Sequence, residues 1–230
     1  ITNLFLLHGG GSFGHYYASK YGLSRKPSRA KAEGVSKTSA AMIDLHSIVL
    51  HEFVMAGLPC QTVLTSEFLT ANGSRVNKTG AIRLETLFLN DLLPISFGNV
   101  SVTKMKSQII SGDLIALAVA RKFRVNRVIF AMDVDGIFPN SKMNSPMINV
   151  LDRSVVFADK ERKYDVTGGI RSKIETGFML AALGADVFYV NGSKPDRLRE
   201  LINGRGDQVK ATKIYRTPQA LSVKRESTEP

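Results

Sequence analysis

Leu4 to Leu7 form an unbroken apolar run that leads through His8 into Gly9-Gly10-Gly11. A short run with no polar alternation predicts a strand buried on both faces, as in a parallel sheet. From Gly34 to Ala56, apolar residues recur at Val35, Met42, Leu45, Val49, Phe53 and Ala56. That spacing predicts one long amphipathic helix, closed by Gly57-Leu58-Pro59. Gln61 to Leu64 predicts a second strand, Ala81 to Leu89 a helix, and Leu92 to Phe97 a strand before a turn at Gly98-Asn99. The same rhythm continues with a helix over Leu114 to Lys122 and a strand over Arg127 to Met132. A helix then opens at Gly168-Gly169 and runs to Leu183, and a strand covers Val187 to Val190. Strands alternating with helices predict an α/β fold, with a mostly parallel central sheet covered by helices on both faces.

The 230 residues, of which 43% are apolar, suit one large domain over 1–215. Its two lobes would meet near residue 105, and the polar tail 216–230 would be frayed. No apolar run approaches the roughly 18 residues that span a bilayer, so no membrane partner is expected. The single cysteine, Cys60, excludes an internal disulfide framework and suits a reducing, cytoplasmic setting. A formal charge of +11 attracts anions, either nucleic acid or phosphorylated small molecules. The basic residues are scattered, with Lys20, Arg25, Lys26, Arg29 and Lys31 in one stretch and Arg121, Lys122 and Arg124 near a helix end. They lack the interleaved aromatics that stack bases, so specific nucleic-acid binding is not expected.

Four short motifs carry candidate chemistry. In His8-Gly9-Gly10-Gly11-Ser12-Phe13-Gly14-His15, glycines let backbone N–H groups close around a phosphate, and a following helix adds its positive end. Glycines 9, 11 and 14 also fit a dinucleotide fingerprint. The second strand ending in an acid that such a fold needs is replaced here by a basic loop and a long helix. His15 is placed to donate a hydrogen bond to a phosphate oxygen, whereas His8 reads as packed at the strand end. Ser111-Gly112-Asp113 puts an acid at a helix start, and Asp133-Val134-Asp135-Gly136 puts carboxylates at a strand's carboxyl end, where open α/β sheets bind ligands. Thr167-Gly168-Gly169 followed by Lys173 brings backbone donors and a mobile ammonium together, a cradle for nucleotide phosphates. The plain alternatives are a ligand-free turn, a solvated histidine, a capping acid and a surface lysine. The order of the four motifs favours the joint reading.

Taken together, these residues resemble the amino-acid-kinase superfamily from about Asn3 to Asn203. The Gly-Gly-Gly-Ser-Phe-Gly-His segment is similar to that of its isopentenyl phosphate kinases and fosfomycin kinases. The resemblance implies an αβα sandwich, usually a homodimer, that uses ATP with Mg2+ to convert isopentenyl phosphate into isopentenyl diphosphate. A fosfomycin-type kinase or a non-enzymatic nucleotide-binding relative is the alternative. It implies that Gly9, Gly10, Gly11, Gly14, Gly112 and His15 hold the acceptor phosphate. Val35, Thr38 and Met42, on the long helix, would line the slot for its apolar tail. Asp113 would orient the catalytic lysine groups, with no metal held by the protein itself. Asp133, Gly136, Thr167, Gly168, Gly169 and Lys173 would surround ATP, with Lys173 beside the transferring phosphate. The family's chains open with a strand bearing Lys-x-Gly-Gly-Ser. The resemblance therefore implies about thirty-five to forty-five residues before Ile1, whose loss would bare a strand edge and remove a positive charge from the phosphates.

Overall fold

The computed structural model describes residues 3–24, 32–104, 106–139, 146–153 and 169–216. Thr167, Gly168, the basic stretch from 25 to 31, and the tail beyond 216 lie outside the described residues. The chain divides into two compact units, Ile1–Phe123 with Lys160–Thr176, and Arg124–Asp159 with Gly177–Pro230.

In the first unit, strand β1 (Leu6–His8) leads into helix α1 (Gly11–Lys20), followed by the long helix α2 (Ala32–Met55) and strand β2 (Cys60–Thr62). A one-turn helix α3 (Thr65–Phe68), helix α4 (Lys78–Leu89) and strand β3 (Leu93–Phe97) complete its parallel layer. The strand order is β1-β3-β2, with Leu6 opposite Ile95 and Cys60 opposite Leu93. Strand β3 lies in the middle, and its last four residues, Pro94 to Phe97, are all buried, which is why this stretch reads as nearly continuous apolar sequence. Pairing with β3 carries β1 to His8, opposite Phe97, so the strand begins and ends later than the apolar run suggests.

The turn expected at Gly98-Asn99 instead opens an antiparallel hairpin, β4 (Asn99–Thr103) with β5 (Lys106–Ile110), before helix α5 (Gly112–Lys122). Its signal was the alternation Asn-Val-Ser-Val-Thr, the period of a half-buried strand. Ala18, Leu23 and Ile109 form a core beneath α1, with Val35 and Val100 packed against it.

The second unit pairs β6 (Arg127–Met132) parallel with β7 (Asp186–Asn191), and β7 antiparallel with β8 (Thr212–Ile214). Helix α6 (Gly169–Ala182), whose residues up to Thr176 belong to the first unit, precedes β7, and α7 (Pro195–Ile202) follows it, with Pro195 preset for a helix start. Phe188, Val190, Leu201, Val209 and Ala211 form a core with Ile129 and Leu198 against it.

Gly80 shows how close the packing is. A Cβ there would lie 2.3 Å from Phe68 Cα and 2.5 Å from its carbonyl oxygen, so α4 sits directly on the backbone of α3. We expect Gly80→Ala to cost about 1–3 kcal/mol, the usual range for overpacking, measured as a lower urea midpoint. Wild-type stability in the variant would contradict this contact.

Candidate active site

The carboxyl end of β1 gathers three backbone segments of the first unit. The carbonyl of His8 accepts a hydrogen bond from Gly98 N at 3.4 Å. A Cβ on Gly98 would lie 2.8 Å from Ile110 O and 3.2 Å from Gly112 N, and one on Gly112 would lie 3.7 Å from His8 O. The end of β3, the start of α5 and the end of β1 therefore meet at a point that only small residues allow.

From that point Gly9 and Gly10 lead into α1, whose first helical bond runs from Gly14 N to Gly10 O at 3.0 Å. Gly10 is the N-cap and no side chain caps the helix among the described residues. The N–H groups of Gly11, Ser12 and Phe13 thus stand at the helix start without the partners that later turns supply. By contrast, Asn77 caps α4 through Gly80 N, and Ser111 caps α5 through Leu114 N.

The glycines divide by physical role. Gly11 has a φ of +47°, a left-handed backbone that favours glycine. Side chains at Gly9 and Gly11 would meet nothing within 4 Å, so space lies open before the loop. A Cβ at Gly10 would come 3.0 Å from Met42 Sδ, and one at Gly14 only 2.5 Å from it. Gly14 is thus required by the packing of α1 on α2, a demand the motif alone does not reveal.

His15 is half-buried on α1, four residues past Gly11, and helical side chains lean towards the N-terminus. Thr38 and Met42 are buried on α2 at 2% and 3% exposure. Thr38 Oγ1 has no hydrogen-bond partner among the described residues. Val35 packs against Ala18, Leu23 and Ile109.

Lys173, on the first turns of α6, donates to Asp113 Oδ1 at 2.7 Å. The lysine side chain is 30% exposed and that of Asp113 14%, so Asp113 holds the lysine while leaving it reachable. Since Gly112 adjoins the end of β1, this pair links the Ser-Gly-Asp motif and the lysine motif to the glycine loop.

In the second unit Asp133 directly follows β6. Asp135 accepts hydrogen bonds from Lys210 Nζ at 2.7 Å, Arg197 Nη1 at 2.7 Å and Asn191 Nδ2 at 3.2 Å. Lys210 first, then Arg197 and Asn191, hold its carboxyl well below the usual carboxylate range. A Cβ on Gly136 would strike Thr212 Oγ1 at 2.6 Å and Met147 Sδ at 2.7 Å. Asp135 and Gly136 therefore anchor this turn to its own unit. The anchoring by Asp135 depends on Arg197 and Lys210, distant in sequence, and no local pattern announces it. Gly169 opens α6 with a φ of +59°.

Sequence reasoning also missed a histidine pair beneath the loop. His8 Nε2 lies 3.0 Å from His46 Nδ1, and His46 Nε2 lies 2.7 Å from Thr62 Oγ1. Phe97 stacks on His46 with ring centroids 4.4 Å apart. Burial, and secondarily the charge of His8, push the His46 imidazole down to about 4. Burial also lowers His8, opposed by its bond to the Gly9 carbonyl.

The sequence model of the Amino acid kinase family matches residues 2–191. The chain belongs to the amino acid kinase family. This family member is 30% identical over 202 residues to an isopentenyl phosphate kinase of Thermoplasma acidophilum, covering 85% of this chain and 79% of that one. It is 26% identical over 226 residues to an isopentenyl phosphate kinase of Methanothermobacter thermautotrophicus, covering 93% and 84%. A crystal structure of an isopentenyl phosphate kinase superposes with a TM-score of 0.75 at 22% identity, over 93% of this chain and 84% of that one. That likeness establishes the amino-acid-kinase fold and agrees with the α/β expectation.

The histidine pair gives stability a pH dependence. An unfolded imidazole takes up its proton near pH 6.5, and folded His46 only near pH 4. Between those values the unfolded chain binds more protons, so stability rises with pH and is lost as pH falls. We expect the folding free energy to drop as pH is lowered from 6.5 towards 4, and His46→Asn to flatten that slope. An unchanged slope in the variant, followed by urea unfolding at each pH, would assign the titration to another group.

Proposed function

We propose that the chain is an ATP-dependent phosphotransferase that converts isopentenyl phosphate to isopentenyl diphosphate in isoprenoid biosynthesis. The observation that carries this is the meeting, at one strand end, of an uncapped helix start with the Lys173–Asp113 pair. It is a place for one phosphate beside a cation for another, and the similarity to isopentenyl phosphate kinases supports the assignment of the acceptor.

In this reading the N–H groups of Gly9 to Phe13 and the His15 imidazole hold the acceptor phosphate, with Gly112 closing the far side. Met42 supports Gly10 and Gly14 from behind. The isopentenyl tail lies along the α2 face that carries Thr38 and Met42, bounded by Val35. The reaction joins an acceptor phosphate oxygen to the γ-phosphorus of ATP and breaks its bond to the bridging oxygen of ADP, with no covalent bond to the protein. Bound ATP would supply the phosphoryl group, and magnesium bound with it would offset phosphate charge. Lys173, aimed by Asp113, neutralises the charge that spreads over the group in transfer. Thr167, Gly168 and Gly169 are proposed to bind the nucleotide phosphates, and Asp133 and Gly136 the nucleotide.

A homodimer is part of the proposal. Ile43, Ile48, Val54 and Met55 are each at least half exposed on one side of α2, an apolar surface suited to a second copy. The proposal also includes a cytoplasmic location, where ATP is at hand. No helix among the described residues is long and apolar enough to cross a membrane.

Turnover of isopentenyl, dimethylallyl and geranyl phosphates, fosfomycin and UMP with ATP tests the acceptor directly. Isopentenyl phosphate should give the highest kcat/KM, and a preference for fosfomycin or UMP would overturn the assignment. We expect His15→Ala to lower kcat/KM for isopentenyl phosphate by about 30- to 150-fold, the loss of one charge-assisted hydrogen bond of about 2–3 kcal/mol, with ATP affinity little changed. Lys173→Ala should raise KM for ATP and lower kcat together, because the lysine touches phosphate in ground and transition states alike. A change confined to the acceptor's KM would contradict that role.

A further inference from the structure

The geometry points to His46 as a positioning residue for the acceptor phosphate: a hydrogen-bonded chain from Thr62 through His46 and His8 fixes the Gly9 carbonyl and thereby sets the aim of the glycine loop. The inference rests on the acceptor site proposed above and adds to it a residue that touches no substrate.

Three elements contribute. Thr62 is the last residue of β2, His46 lies in the middle of α2, and His8 ends β1. The contacts run from Thr62 Oγ1 to His46 Nε2 at 2.7 Å, from His46 Nδ1 to His8 Nε2 at 3.0 Å, and from His8 Nδ1 to Gly9 O at 3.1 Å. With neutral rings, the donors can be assigned from the last contact backwards. A carbonyl only accepts, so His8 Nδ1 carries hydrogen and Nε2 of the same ring accepts. His46 Nδ1 must then donate to it, and His46 Nε2 accepts from the Thr62 hydroxyl. The hydrogen-bond network thus gives each ring one tautomer, and the burial of both rings favours the neutral forms this needs.

Packing holds the chain flat. Phe97 stacks on His46 at 4.4 Å and on His8 at 5.3 Å, with interplanar angles of 25° and 13°. His46 is 6% exposed, so water competes little for its nitrogens.

What the chain controls follows from the peptide plane. Gly9 has no side chain, and a Cβ there would meet nothing within 4 Å, so no side-chain packing holds this residue. Glycine in such a position is otherwise free to rotate. The Gly9–Gly10 peptide is planar and trans, so a carbonyl held by His8 directs the Gly10 N–H to the opposite side. Met42 restrains Gly10 from behind. The loop's first donor is thus set before any anion arrives, which lowers the ordering cost of binding.

Steady-state kinetics on the full chain with isopentenyl phosphate and ATP test this in wild type, His46→Leu, Thr62→Val and His46→Asn, each checked for folding by thermal unfolding. His46→Leu should raise KM for isopentenyl phosphate about tenfold and leave KM for ATP within about twofold, the size of one neutral hydrogen bond. Thr62→Val should shift the same constant in the same direction by less. His46→Asn, whose amide nitrogen takes the place of Nδ1 and can donate to His8 although it falls short of Thr62, should return KM to within about threefold of wild type. An unchanged acceptor KM in folded His46→Leu, or equal changes in both KM values, would overturn the proposal. Hydrogen exchange at the Gly10 amide judges the loop independently of turnover. Faster exchange in His46→Leu, restored in His46→Asn, supports it, and equal exchange in all variants refutes it. A wild type that exchanges as expected yet leaves isopentenyl phosphate untouched would remove the functional assignment and leave the loop claim standing.

Discussion

The close approach of backbone at the carboxyl end of β1 is the constraint on which the rest of the first unit depends. His8 O, Gly98 N and Gly112 lie within contact of one another. Any side chain at Gly98 would collide with Ile110 O. Because the backbones meet there, the starts of α1 and α5 open on the same strand end, and Asp113 can bring Lys173 to it. Two helix starts and an ammonium concentrate positive potential in one place. That local arrangement, more than the scattered excess of +11, is what suits the unit to phosphate.

Phosphoryl transfer asks little covalent work of a protein and much positioning. The first unit divides that work. Rigid contacts set the loop from below, through Met42 against Gly10 and Gly14 and through the histidine chain on Gly9. Asp113, the more deeply buried member of the pair, holds the lysine. In the proposed reaction, a fixed glycine loop beside that lysine suits the movement of charge from one phosphate to the next.

Elements with a long or pure pattern were legible in the sequence. Helix α2 announced itself by the spacing from Val35 to Ala56, and β6 was read at its exact bounds because an apolar strand there is flanked by charged and polar residues. The β4–β5 hairpin was less visible because its alternation is built on Ser, Thr and Asn, with few large apolar residues. Helix α7 and strand β8 are short and polar, and β8 buries Lys213. That the glycines lead straight from β1 into a helix start was legible. The separate demand on Gly14 was not, because Met42 comes from 28 positions further along the chain. Nothing in the local sequence marks His46, since its partners, His8 and Thr62, come from two strands distant from it in the chain. Local sequence reports what a segment does alone, and these contacts exist only after the segments have met.

Amide NMR titration of the 15N-labelled protein with isopentenyl phosphate, without ATP, tests the proposal that the start of α1 receives the acceptor phosphate. Saturable shifts should centre on Gly9 to Phe13 and on His15, with only small changes at Lys173 until nucleotide is added. Saturable shifts that spare the glycine loop and centre on Lys173 or on the second unit would contradict it.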